Sequence, residues 1–294
     1  VARAAGIEIT WQDMDDISRA TPLLARVYPN GQADVNQFHR AGGMGYIVHE
    51  LRLGGLLNED VVTIMGEGLD AYEFSPSLDE KENATWVNRI TDSGDAEVLR
   101  PVVEPFQADG GLRLMKGNLG DGVVKTSAVV KSNRFVEAPC VVFDSQEELT
   151  AAFKAGELNK DFIAVVRFQG PSANGMPELH KMTPPLGVLL DKGFKIALVT
   201  DGRMSGASGK VPAAIHVSPE AINGGMLNRL QTGDVIRFDA DAGTLDVLVP
   251  AEELQARVAA QAPVVTQNLG RSLFGGFRAL AGVSHKGASV FDFS

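Results

Sequence analysis

Apolar and polar residues alternate in blocks that predict a helical first part and a strand-rich remainder. Residues 1–75 read as mainly helical. Trp11-Gln-Asp-Met-Asp-Asp-Ile-Ser18 is a short amphipathic piece bounded by Pro22, which cannot continue a helix. Phe38-His-Arg-Ala-Gly-Gly-Met-Gly-Tyr-Ile-Val-His-Glu-Leu51 opens with a glycine-rich turn and continues as a helix to about Leu53. Asn58-Glu-Asp60 then caps a helix or short strand over 61–65. Between Glu73 and Gly94 the chain turns polar, with Pro76 and many carboxylates, and reads as a linker. Strands are predicted at 111–116, 122–125, 140–143, 162–168 and 195–200, with a hairpin over 234–249. Helices are expected from the Ser145/Glu148 capping box, from Pro177, over 251–260 and over 271–280. Strands with interspersed helices and a late hairpin suggest an α/β fold, a mixed barrel or sandwich. The division expected is 1–94 and 95–294.

Composition changes this picture in three ways. A formal net charge of −10 argues against a nucleic-acid surface, which needs a basic face; an anionic ligand would need local cations. The lone Cys140 excludes an internal disulfide and any all-cysteine metal site made from this chain alone, and fits a reducing, cytoplasmic setting. No apolar run is long enough to cross a bilayer. The first residues, Val1-Ala-Arg-Ala-Ala-Gly-Ile-Glu8, lack an initiator Met and the core of a signal peptide, and read as the interior of a longer chain.

Candidate chemistry concentrates after the strand 195–200. Asp201-Gly-Arg-Met-Ser-Gly-Ala-Ser-Gly-Lys210 holds glycines that permit tight turns and close approach, and successive N–H groups that can cradle an anion. Ser205 supplies a hydroxyl for base or nucleophile work, Ser208 a second one, and Arg203 and Lys210 two cations. A Gly/Ser loop can also serve only to turn the chain. Earlier, Gly170-Pro-Ser-Ala-Asn-Gly-Met-Pro-Glu178 follows another strand. Glu178 is expected in the first turn of the helix begun by Pro177, where it either complements the helix dipole or ligates a hard metal. Two such strand–loop junctions can meet at one sheet edge. Gly66-Glu-Gly-Leu-Asp-Ala71 is rejected as a dinucleotide fingerprint because Pro76 interrupts the helix it needs, and Gly117-Asn-Leu-Gly-Asp-Gly122 as a phosphate loop because its lysine is displaced. Asp239-Ala-Asp-Ala-Gly243 is a turn between strands rather than a calcium loop. The five histidines show no metal-site spacing.

Taken together, Phe38-His-Arg-Ala-Gly-Gly43, Lys116-Gly-Asn-Leu119, Val142-Phe-Asp-Ser145, Gly175-Met-Pro-Glu178, Thr200-Asp-Gly-Arg-Met-Ser-Gly206 and Val217-Ser-Pro-Glu-Ala221 resemble the dihydroxy-acid and sugar-acid dehydratase family, nearly end to end. Pro22-Leu-Leu-Ala-Arg-Val-Tyr-Pro-Asn-Gly31 and Ser205-Gly-Ala-Ser-Gly-Lys-Val-Pro-Ala-Ala-Ile-His-Val217 resemble its 6-phosphogluconate branch. The resemblance implies the helical tail of a cofactor-binding α/β domain followed by a barrel-like, swivelling β/β/α domain. It implies dehydration of a small anionic sugar acid, in that branch 6-phospho-D-gluconate of the Entner–Doudoroff route, with a magnesium ion and an iron–sulfur cluster, [4Fe–4S], in a cytoplasmic homodimer. By motif position Ser205 is the base, Glu178 a magnesium ligand, and the backbone N–H groups of Gly206 and Ala207 hold the carboxylate. Arg203, Ser208 and Lys210 are candidates for the phosphate or hydroxyls on chemistry alone, with ordinary loop roles equally open. The family's cluster cysteines and its aspartate and lysine metal ligands precede these motifs and are not in this chain, which is therefore expected to be a C-terminal half, inactive alone. Two alternatives stand: a dehydratase of another sugar acid or branched dihydroxy acid, and a non-catalytic binding or assembly module that keeps the loop.

Overall fold

A computed structural model describes residues 1–87, 91–205, 209–264 and 268–291. The chain divides into two compact units, Val1–Asp15 with Leu112–Ser294, and Asp16–Gly111. The second unit holds the helices Val35–Arg40 and Gly43–Leu53. Asp34 caps the first, accepting from Gln37 N while the Gln37 side chain accepts from Asp34 N. Within the stretch expected to be a linker, Ser75–Leu78 and Ala84–Val87 pair as an antiparallel hairpin. Its turn is organised by Asp79, whose carboxylate accepts the N–H groups of Lys81 and Asn83. Local side-chain-to-backbone bonds of this kind shape a turn without apolar periodicity, which is why the pattern hid it.

The larger unit is built on eight strands: β1 Leu112–Met115, β2 Asp121–Lys125, β3 Phe135–Phe143, β4 Phe162–Val166, β5 Ile196–Thr200, β6 Ala213–Ser218, β7 Val235–Asp239 and β8 Thr244–Val247. They form one mixed sheet in the order β8-β7-β3-β4-β5-β6-β2-β1. The four central strands are parallel, with antiparallel pairs on either side. β4 and β5 are buried at every position, which accounts for their apolar sequences up to Thr200 at the end of β5, since each face meets a layer of its own. Ile163, Val165, Ala197 and Val199 point into a core shared with β3, β7 and β8. Phe162, Ala164, Val166, Ile196 and Leu198 face a second core with Leu149 of the helix Gln146–Lys154 and Leu186 and Leu189 of the helix Thr183–Asp191. Each such buried Leu, Ile or Val contributes ~1.5–3 kcal/mol. β6, with Pro212 before it and a positive φ at His216, carries less apolar alternation and was not expected from the sequence.

The sheet is nearly closed, barrel-like. Lys116 bridges to Thr244 in parallel, and Asn118 fastens the seam by accepting from Val247 N and donating to Val247 O, both at 2.8 Å. Gly117 lies where the strands come closest: a Cβ there would fall 2.0 Å from Leu245 O and 2.6 Å from Asp246 Oδ1. The Lys116-Gly-Asn-Leu119 motif is thus a closure device. Gly117→Ala is expected to lower stability by about 2–3 kcal/mol through this overpacking, read as a drop in unfolding midpoint; an unchanged midpoint would show that the seam yields freely. Asp239 Oδ1 accepts from Asp241 N and Ala242 N, the turn expected of the β7–β8 hairpin. Among the described residues no helix is long and apolar enough to cross a membrane.

Candidate active site

β4 and β5 run parallel with Val166 opposite Thr200, so both chains leave the sheet at the same edge, where sites of open parallel sheets form. After β4 the chain makes the short helix Pro171–Asn174, stopped by Gly175 in the left-handed conformation. Met176 also has positive φ, and the chain then extends into Glu178. After β5 comes Asp201-Gly-Arg203. The two loops join as a parallel bridge, Glu178 to Arg203, and Leu179 N donates to Arg203 O at 3.2 Å. Side chains tighten the junction. Arg203 Nη1 donates to Glu178 Oε2 at 2.9 Å and Nε to Met176 O at 3.1 Å. Ser205 N donates to Glu178 Oε1 at 2.7 Å. Gly202 permits the approach, because a Cβ would lie 2.7 Å from Gln169 Cβ and from Leu179 Cδ1.

Behind the junction is a carboxylate clasp. Asp201 is fully buried and accepts the N–H groups of Gln169 (2.9 Å), Phe168 (3.1 Å) and Ala221 (2.9 Å). One side chain thereby pins the loops that follow β4, β5 and β6. Burial pushes its carboxyl up to about 6, against the N–H donors of Ala221, Gln169 and Phe168, which lower it, and with the Glu220 charge adding to the rise. Glu220, also buried, accepts from Ser172 N and Ala173 N at 3.0 and 3.1 Å, so it holds the helix Pro171–Asn174 in place. Neither acid was singled out from sequence. The signal available was an acidic residue closing each of two strand-end segments.

Several expectations about the site need restating. Glu178 is not in a helical turn: Pro177 starts no helix, and the chain makes only the 3-10 turn His180–Met182 before the helix Thr183–Asp191. Pro184 and Pro185 set that start, since their missing N–H groups are tolerated only in a first turn. The dipole explanation for Glu178 therefore has no helix to act on. Arg203 clamps Glu178 and Met176, while Lys210 is ion-paired with Asp191; the structure brings Ser205, Glu178 and Arg203 together, and Lys210 makes its ion pair at a different place. Gly206, Ala207 and Ser208 lie outside the described residues. His216, beside the junction through its N–H to Gly202 O at 2.8 Å, is held below the usual imidazole range by burial and the Arg203 charge.

The residues present do not fit an iron–sulfur cluster. Cys140 is a buried core residue of β3, its Sγ donates to Gln231 O at 3.2 Å, and burial, aided by the Asp234 charge, pushes its thiol up to about 12. Nor does any group of three or more His, Cys, Asp or Glu among the described residues gather to hold a metal ion. Glu178 offers one carboxylate, each oxygen retaining a lone pair beyond its present bond.

A family model described as dihydroxy-acid/6-phosphogluconate dehydratase C-terminal matches residues 97–288, and the corresponding N-terminal model matches residues 1–72. A phosphogluconate dehydratase of Pseudomonas aeruginosa is 57% identical over 99% of this chain and 48% of its own length. One from Zymomonas mobilis is 52% identical over 98% of this chain and 47% of its own. A dihydroxy-acid dehydratase of Nitratidesulfovibrio vulgaris is 38% identical over 88% of this chain and 45% of its own. The chain spans about half the length of the curated relatives it matches. With both family models aligned along it and a single junction carrying the Glu178 and Ser205 motifs, the chain belongs to the dihydroxy-acid/6-phosphogluconate dehydratase family.

Proposed function

We propose that this chain is the C-terminal half of a hydro-lyase that removes water from a phosphorylated sugar acid, converting 6-phospho-D-gluconate to 2-dehydro-3-deoxy-6-phosphogluconate. The observation that carries the reading is the 2.7 Å bond from Ser205 N to Glu178 Oε1, which sets the candidate base beside the candidate ligand carboxylate. The names of the relatives favour the phosphogluconate substrate.

The reaction breaks the C2–H and C3–O bonds. The C2 proton passes to the Ser205 alkoxide, the 3-hydroxyl leaves as water with a proton equivalent to the one Ser205 gained, which returns the serine to its starting state, and the resulting enol tautomerises to the 2-keto acid. Removing this proton is difficult because the carbon is barely acidic, and a serine hydroxyl is neutral at pH 7. Its alkoxide needs nearby positive charge. Arg203 is already paired with Glu178, so by itself it does not supply that charge. Family resemblance assigns it to magnesium and an iron–sulfur cluster held mainly by residues not in this chain. Besides the Ser205 hydroxyl, this chain supplies orientation: Asp201 fixes the loops, Arg203 fixes Glu178, and Glu178 fixes the Ser205 backbone.

The test is turnover by the intact protein. 6-Phosphogluconate should be dehydrated in preference to gluconate and to branched dihydroxy acids; a preference for an unphosphorylated acid would move the enzyme to another branch, and no turnover of any would favour a binding role. Glu178→Gln keeps an acceptor for Ser205 N but removes the charge. It is expected to raise the magnesium concentration giving half-maximal activity by about tenfold or more, and an unchanged requirement would leave Glu178 as a purely structural clamp.

A further inference from the structure

The chain carries net negative charge, and the two cations first expected to meet a phosphate are engaged elsewhere, Arg203 by Glu178 and Lys210 by Asp191. A different pair meets no counter-charge among the described residues. Arg271, from the helix Leu269–Leu273, donates to Asn174 Oδ1 at 3.1 Å and Ala173 O at 3.2 Å. Arg278, from the helix Gly275–Leu280, donates to Arg271 O at 2.8 Å. All three acceptors are neutral, and among the described residues neither arginine meets a carboxylate. Both line a cavity of about 520 Å³ together with Met176, Phe274 and Phe277, and among the described residues no acid lines it. Burial, and then the Arg278 charge, hold Arg271 below its ordinary range, as two cations sharing a space without a counter-charge should.

The arginines are also positioned from the candidate active site. Asp201 holds Gln169 N, Gln169 Oε1 accepts from Asn174 Nδ2 at 3.0 Å, and Asn174 Oδ1 accepts from Arg271. The Arg278 stem passes 3.8 Å from where a Cβ of Gly175 would stand. Met176 belongs to both places: it lines the cavity, its carbonyl is held by Arg203, and Glu178 follows two residues later. Planar guanidinium groups are suited to forked bonding of a tetrahedral dianion, and they stand beside the exposed rings of Phe274 and Phe277.

We propose that Arg271 and Arg278 form an anion site that takes the phosphate end of the sugar acid acted on at Ser205. This rests on the dehydratase reading above, and the test separates the two. In the intact protein, inorganic phosphate should raise the unfolding midpoint relative to chloride of matched ionic strength. The rise should vanish in Arg278→Gln and return in part in Arg278→Lys, which keeps a point charge. In the same variants the ratio of kcat/KM for 6-phosphogluconate over gluconate should fall about ten- to hundred-fold in Arg278→Gln, mainly through KM, and less in Arg278→Lys. Equal phosphate shifts in the parent and both variants, or an unchanged ratio, would overturn the site while leaving the dehydratase intact. A phosphate shift that depends on Arg278 in a protein that dehydrates no sugar acid would support the anion site and overturn the function.

Discussion

Ser205→Ala in the intact protein is expected to lower kcat by about 10²–10⁴-fold, the range set by removing a positioned general base, with little change in unfolding midpoint. The reason for this separation is geometric. One anchor of position 205 is its backbone, whose N–H donates to Glu178 Oε1, and alanine keeps that bond. The hydroxyl lies on a half-buried residue of the segment after β5, outside the two apolar cores on the two faces of the sheet. Steady-state turnover measured beside thermal unfolding distinguishes the outcomes. Near-normal kcat would remove Ser205 from the proton transfer, and a large loss of stability would make any loss of activity a folding effect.

Asp201→Ala should have the largest effect on stability, about 3–5 kcal/mol, because it strands three buried N–H donors at Phe168, Gln169 and Ala221. In a unit of this size that is a fall of about 10 °C in unfolding midpoint. Activity should fall with it even where the protein remains folded, since the same three loops carry Glu178, Ser205 and Glu220. Asp201→Asn isolates the charge. Burial raises the folded carboxyl to about 6, above its value of about 4 in an unfolded chain. The folded state thus binds the proton more tightly than the unfolded one. The stability this proton contributes is fully present below about pH 4 and is lost as pH rises through about 6. The gap between the parent and Asp201→Asn should therefore narrow as pH rises from about 4 to 6. A gap that widens would mean that the three N–H donors outweigh burial and the carboxylate is the favoured form.

Much of the sheet was legible because strands buried on both faces must be largely apolar, as Phe162–Val166 and residues 196–199 are. Closure of that sheet was not, because Gly117 and Asn118 meet Leu245, Asp246 and Val247 across more than a hundred residues, and no local pattern encodes such a meeting. The loop holding Ser205 was visible in its glycines and hydroxyls. Its partner Glu178 was visible too, but in the wrong setting: Pro177 looked like a helix start, while the prolines seven and eight residues on govern where the helix begins. Charges could be counted from sequence, but not paired. That Glu178 and Asp191 stand beside Arg203 and Lys210 could not be read from the chain order. The same holds for Arg271 and Arg278, set seven residues apart among phenylalanines, whose neutral surroundings exist only once Asn174 has been folded against them.

In the mechanism proposed above, two loops leaving adjacent parallel strands converge on one sugar acid. A crystal structure of the intact protein with an unreactive phosphorylated sugar-acid analogue tests it most directly. C2 of the ligand is expected about 3–3.5 Å from Ser205 Oγ, with the Glu178 carboxylate on the same side of the ligand. A ligand bound with C2 remote from Ser205, or with Glu178 facing away from it, would rule out proton transfer to Ser205 beside Glu178.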